Sequence, residues 1–402
     1  TKLEEIAFAE NGCLATIGKN AFKNLKLSSL RFPASLETIA ENAFGQNYSL
    51  ASVEFTTSET ELKLLDGVFQ DCRGLESIEI PANVVKIGVG VFNGCSKLST
   101  ITVDENNDFY LTQDGVLFDK NFTELLCYPA GKTDAFTLPE KLTTIGAGVF
   151  KGNKSLTNIT IHKHVTLIAA SAFENCSNLE EVNFEQDVTD TEELVFGEGA
   201  FKSCKALTSL VLPARVTAIP ADFTHSCEAL TEVVIPSTVT TIAERAFNST
   251  GITNMTIPNS VETIGQSAFY SLKATEWHIE FEDGDKPLEV GNLLFSGGNS
   301  KAIGSVKLPE RLVNISEMMF FDSQIEEIVI PSTVTTVDKQ AFYSSKKLHT
   351  VTFRSSEDPD RMLTVADGNG TDSSYTKGVF SDNISLRSVT LPDELTRVAD
   401  FM

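Results

Sequence analysis

The chain has 402 residues, with 55 acidic against 32 basic side chains and a formal charge of −23. A surface this acidic repels nucleic acid and anionic lipid, so neither is expected as a partner. No run of about 20 apolar residues occurs, which excludes a membrane-spanning helix within the sequence.

One phrase recurs from end to end, reading Leu-x-x-Ile-x-Ile-Pro-x-x-Val-x-x-Ile-Gly-x-x-Ala-Phe-x-x-Cys; the segment from Leu230 to Phe247 is a clean copy. In chain order, strands are predicted to start at Leu3, Leu27, Leu50, Leu75, Leu98, Thr133, Leu156, Leu179, Leu207, Leu230, Ile252, Glu276, Ile303, Ile325, Leu348 and Leu386. Most of these sixteen starts lie 22 to 25 residues apart. A fixed period in this range is the mark of a solenoid, in which each turn buries its apolar face against its neighbours. A single mainly-β repeat solenoid over residues 1–402 is therefore expected, with about sixteen turns. The chain opens inside a repeat at Thr1 and stops inside one at Met402, and is read as truncated at both ends, with its export signal not in view.

Within a unit, Ile-x-Ile alternates with period two and points both apolar side chains to one face of a short strand. The proline that follows cannot donate to a ladder and ends the strand. Nine of the thirteen prolines hold this position, for example Pro81, Pro139, Pro236 and Pro331. Glycines such as Gly18, Gly88, Gly146 and Gly265 follow the corner Ile, where a tight turn is expected. Fourteen phenylalanines fall in one register: Phe22, Phe44, Phe69, Phe92, Phe150, Phe173, Phe201, Phe223, Phe247, Phe269, Phe295, Phe320, Phe342 and Phe380. Each buries roughly 150–250 Å², so a ladder of stacked rings is expected to be the main structural spine.

Five of the seven cysteines, Cys72, Cys95, Cys176, Cys204 and Cys227, share one slot, eight residues after the corner residue. Elsewhere Leu25, Asn47, Asn153, Thr250, Ser323 or Ser345 fills it, so the cysteines read as compact buried hydrophobes with free thiols. Cross-links between adjacent turns, Cys72 to Cys95 and Cys204 to Cys227, are the rival reading. His162 and His164 lack a third ligand nearby and read as solvated turn residues. No nucleophile elbow, phosphate loop or zinc-protease motif is present, and scattered carboxylates do not form a general acid–base pair. Catalytic residues, metal and cofactor are all expected to be absent.

Polar insertions follow Phe55, Phe184, Phe281 and Phe353, each at the same point of its turn, so all four should emerge along one edge. Two of them are strongly acidic, with Glu185, Asp187, Asp190 and Glu192 in one and Glu282, Asp283 and Asp285 in the other. They read as an acidic edge able to attract a basic partner or hold weak Ca²⁺, or simply as loops kept soluble. Strand alternation turns Thr102, Thr160, Asn183, Val211, Val234, Thr256, Glu280, Lys307, Val329, Thr352 and Thr390 outward on the sheet face. Val211 and Val234 form an apolar step there, with Trp277 and His278 two turns on, and these residues with Glu280 are the candidate contact patch.

The Ile-Pro-x-x-Val-x-x-Ile-Gly-x-x-Ala-Phe phrase resembles the BspA-like class of leucine-rich repeats, found on surface proteins of anaerobic mucosal bacteria and some mucosal protozoa. The resemblance covers nearly the whole chain. It implies a right-handed leucine-rich-repeat solenoid with a short-stranded parallel sheet. The segment from Asp104 through Gly115–Phe118 to Gly131 is similar to the β-hairpin such proteins carry between two repeats, placing an insertion at about 104–131. The resemblance further implies a non-enzymatic surface or secreted protein that adheres to host matrix proteins or joins cells. Its partners would be extracellular or host-surface proteins, with the chain monomeric. A glycan-binding module, or a scaffold displaying other domains, is the alternative.

Overall fold

The computed structural model describes residues 3–9, 12–134, 136–185, 192–298, 303–358, 362–366, 378–393 and 395. Every regular element among them is a strand. The chain forms two compact units, Thr1–Glu185 and Gln186–Met402.

In each unit the repeat phrase makes two strands per turn. The Ile-x-Ile part forms the first, and it pairs in parallel and in register with the same part of the next turn. In the first unit Ser29–Phe32 pairs with Ser52–Phe55, matching Leu30 to Val53, and Ser77–Ile80 pairs with Thr100–Val103. In the second unit Ser209–Val211, Glu232–Val234, Asn254–Ile257, Glu276–Phe281 and Ile303–Lys307 form a five-stranded parallel sheet. Glu327–Ile330, Thr350–Phe353 and Ser388–Thr390 form a further sheet of three. The second strand of each turn is a Thr-Ile-like pair at the corner, as in Thr241–Ile242 beside Thr263–Ile264. The repeat phrase does not reveal this second row, because two residues are too few to show a period.

Fourteen of the sixteen expected strand starts lead into a strand, and the described residues hold about fourteen turns. Leu3 is 44% exposed and residues 3–9 carry no strand. Around Thr133 there is none either, because a hairpin takes that part of the turn. Its arms Tyr110–Gln113 and Val116–Asp119 are antiparallel, and the chain returns through Glu124–Cys127 to run parallel to Thr144–Ile145. Asn107 fastens the base of the hairpin. Fully buried, its Nδ2 donates to the carbonyls of Pro81 (2.9 Å) and Val84 (3.0 Å), while its Oδ1 accepts from the N–H groups of Phe109 and Tyr110.

The phenylalanine ladder is present in runs. Phe22, Phe44, Phe69 and Phe92 stack at 5.4 to 6.0 Å. Phe247, Phe269, Phe295, Phe320, Phe342 and Phe380 stack at 5.2 to 5.6 Å. Phe223 is a correction. It lies one residue early, in the small-residue slot, and fully buried Thr224 holds the ring position, its N–H and hydroxyl both directed to Ala246 O. Phe196 fills the space so vacated, 4.9 Å from Phe223, and Phe201 meets Phe223 edge-on at 85°.

Two left-handed residues bracket each ring position from Phe22 to Phe342, two before and two after, such as Gly67 (φ 65°) and Asp71 (φ 61°) around Phe69. These are where the chain reverses. The glycines after the corner Ile are not among them. Gly88 and Gly265 are small for another reason, since a Cβ there would overlap the backbone of the preceding turn.

All seven cysteines are free thiols. The shared slot has a chemistry that its hydrophobic reading omits. Cys72, Cys95, Cys176 and Cys227 donate Sγ–H to the carbonyls of Phe44, Phe69, Phe150 and Phe201 at 3.0 to 3.3 Å, each one turn back. Asn47 gives its amide to Phe22 O at 2.8 Å, and Ser345 its hydroxyl to Phe320 O. In these six turns the slot holds a small donor that satisfies a buried carbonyl.

Candidate functional site

All eleven residues assigned outward by strand alternation are exposed or half-exposed. In the second unit the outward side chains of the five-stranded sheet form two rows, and five of the eleven make up one of them. One row runs Ser209, Glu232, Asn254, His278 and Ser305; the other runs Val211, Val234, Thr256, Glu280 and Lys307. Strands paired in this way lie about 4.8 Å apart, so neighbours within a row touch. Val211 and Val234, at 49% and 44% exposure, are direct partners and form an open apolar step. Beyond it the rows turn polar. His278 Nδ1 lies 2.6 Å from Ser305 Oγ, and Glu280 is paired with Lys307. The hydrogen bond from Lys307, and then its charge, lower the Glu280 pKa, while Glu280 raises that of Lys307. A groove of about 530 Å³ opens beside the valines, lined by Glu232, Val234, Asn254, Thr256, Pro258 and Glu282.

Trp277 does not belong to this surface. It is 5% exposed, and it stacks on Phe295 at 5.9 Å. The strand here is six residues long, so the inward set extends back from Phe281 through Ile279 to Trp277. Its partner across the ladder is Gly304, where any Cβ would overlap the indole. His278, one residue on, does face outward.

The acidic residues are held by main-chain donors rather than poised around one point. Glu185 accepts from Lys163 N–H at 3.3 Å, Glu282 from Asn259 N–H at 3.1 Å, and Asp283 from Glu310 N–H at 2.7 Å. Glu192 and Asp285 are exposed, and Asp187 and Asp190 lie outside the described residues. In the second unit the stems of two insertions are linked, since Glu310, bonded to Asp283, also pairs with Arg354 at 2.5 Å. Arg311 braces the same loop from beneath. It is 6% exposed, and its guanidinium donates to the carbonyls of Glu282, Val261 and Pro258. That brace was not legible in the sequence, because one arginine in a loop carries no pattern. Among the described residues no three His, Cys, Asp or Glu side chains converge as metal ligands, so the weak-Ca²⁺ reading of the edge gains no support.

The comparisons with known proteins agree with this architecture. The profile of the BspA type leucine rich repeat region, 6 copies long, matches residues 1–113, 126–198, 195–297 and 285–358. No curated protein matches the chain. A leucine-rich repeat protein of Eubacterium ventriosum ATCC 27560 is similar in structure, at 22% identity and TM-score 0.52, over 82% of this chain and 79% of that one. One from Bacteroides ovatus ATCC 8483 is similar at 22% identity and TM-score 0.51, over 90% of this chain and 87% of its own. At that identity the likeness concerns the fold. With most of its length matched by the profile, the chain belongs to the BspA-type leucine-rich-repeat family.

Proposed function

We propose that the protein is a non-enzymatic binding scaffold of the cell surface or the secreted space, acting in adhesion to host matrix proteins or in cell–cell contact. The observation that carries this reading is the outward face of the five-stranded sheet, where the Val211–Val234 step lies beside an open groove. An apolar step beside hydrogen-bonding groups is the kind of surface that protein contacts use. Membership of a repeat family built for extended binding faces supports the same reading. Of the polar groups on this face, His278 is bonded to Ser305 and Glu280 to Lys307, an arrangement that suits recognition better than proton transfer.

Binding of the full chain to a panel of soluble extracellular-matrix proteins tests the reading. The double variant V211S/V234S, made at exposed positions, should weaken binding by about tenfold, a loss of about 1.4 kcal/mol. The same loss is expected at low and high salt. A panel with no binder, or a binder indifferent to the valines, overturns the proposal.

A further inference from the structure

In the first unit a separate cavity of about 460 Å³ opens between the hairpin and the segment that follows it. This size lies within the ~300–1,000 Å³ range of small-molecule sites. It is lined by Gln113, Asp114, Lys132, Asp134, Phe136 and Thr137, over a floor that includes Phe118.

Lys132 sets this cavity apart from the other grooves. Its side chain is only 10% exposed, yet among the described residues its ammonium has one acceptor, Asp134 Oδ2 at 2.8 Å. An ammonium has three N–H donors, so two are left for whatever enters. Burying unsatisfied donors is unfavourable by kcal/mol amounts, and structures with no use for such donors satisfy them. Arg311, the other buried cation among the described residues, donates to three carbonyls. The segment around Lys132 is also held firmly. The Tyr128 hydroxyl donates to Asp134 O at 3.1 Å, and Tyr128 packs 5.0 Å from Phe136. Burial, and then the charge of Asp134, push that phenol up to about 12, so it remains a donor.

The chemistry of the lining narrows the ligand class. The Lys132–Asp134 pair sets a donor and an acceptor side by side, at a separation comparable to that of vicinal hydroxyl oxygens on a pyranose ring. Gln113 and Thr137 add groups that both donate and accept. The half-buried ring of Phe136 offers an apolar surface to the C–H face of a sugar. Charge excludes the acidic sugars, since Lys132 is neutralised by Asp134, Asp114 adds a further carboxylate, and the chain as a whole is at −23. We propose that this hairpin cavity is a binding site for a neutral hexose of a glycan, with Lys132 and Asp134 gripping adjacent hydroxyls. It is distinct from the sheet face of the second unit and stands whether or not that face binds protein.

The test is saturable binding of D-galactose, D-mannose and N-acetylglucosamine to the full chain by titration calorimetry, with N-acetylneuraminic acid as the charged control. At least one neutral sugar should bind with Kd on the order of 1 mM, and the acid more weakly. K132M and D134N should each weaken that binding by about tenfold, while the surface variant K97Q leaves it unchanged. Asp134 is 75% exposed, so D134N keeps the test decisive even if K132M fails to fold. The proposal is overturned if no neutral sugar saturates the protein, if binding survives both substitutions, or if the acidic sugar binds more tightly than the neutral ones.

Discussion

The carboxylate of Asp222 accepts from Lys202 at 2.8 Å and Arg245 at 2.7 Å, one on each neighbouring turn, and His225 Nδ1 lies 3.2 Å away. Burial alone would raise its pKa. The hydrogen bonds and charges of Arg245 and Lys202 outweigh that and hold it down to about 2. A depressed carboxyl stabilises the fold above its ordinary value near 4 and loses that contribution as pH falls towards 2. D222N should therefore lower stability by about 2 kcal/mol at neutral pH. It should also flatten the decline between about pH 4 and pH 2, as read from denaturant curves across that window. Unchanged stability would mean that the two cations are held by solvent instead. This cluster did not stand out in the sequence, because ionic partners one turn apart are some two dozen residues distant and no motif marks them; Lys132 and Asp134 lie close in sequence, but nothing there shows that the lysine is buried.

At the scale of the element, the ring ladder was legible and its interruption was not. Phe223 sits three residues after Pro220, in a copy of the phrase of ordinary length, and counting from Ile219 puts Thr224 at the ring position. Phe247 therefore begins a run of stacked rings, with Phe269 5.6 Å away on one side and Thr224 holding the ring position of the turn before. Replacing Phe247 with Ala should open a cavity that the strands cannot close without losing register, at a loss of about 3–5 kcal/mol. A melting temperature within a degree of the parent would refute the stacked spine. Trp277 teaches the same lesson from the other side. Its repeat has no Leu to set the phase, and the two residues added to the strand, Glu276 and Trp277, extend the inward set so that the indole joins the core.

At the scale of the molecule, the cations are spread thinly over an acidic surface. Lys97 with Glu76, Lys205 with Glu228, Lys286 with Glu262 and Lys339 with Glu317 each tie one turn to a neighbouring one. Exposed pairs of this kind contribute about 0–1 kcal/mol each, whereas the uncompensated charge of −23 repels itself throughout. Repulsion should win. Raising the salt from near zero to about 0.1 M, where screening reaches about 10 Å, should raise the melting temperature by a few degrees. A fall over the same interval would show that the turn-to-turn pairs dominate. The division into two units left no trace in the repeat phrase, which reads the same on both sides of residue 185.

The corner thiols have one more consequence. Burial pushes Cys72 up to about 12 and drives Cys95 and Cys227 well above their ordinary value, so none of the three forms thiolate while its turn is closed. Cys13, by contrast, is exposed. Each buried sulfur is thus a clock already fitted to its own turn, and the rate at which a thiol reagent reaches it counts how often that turn opens. The protein carries its own gauges of where along the repeats it breathes.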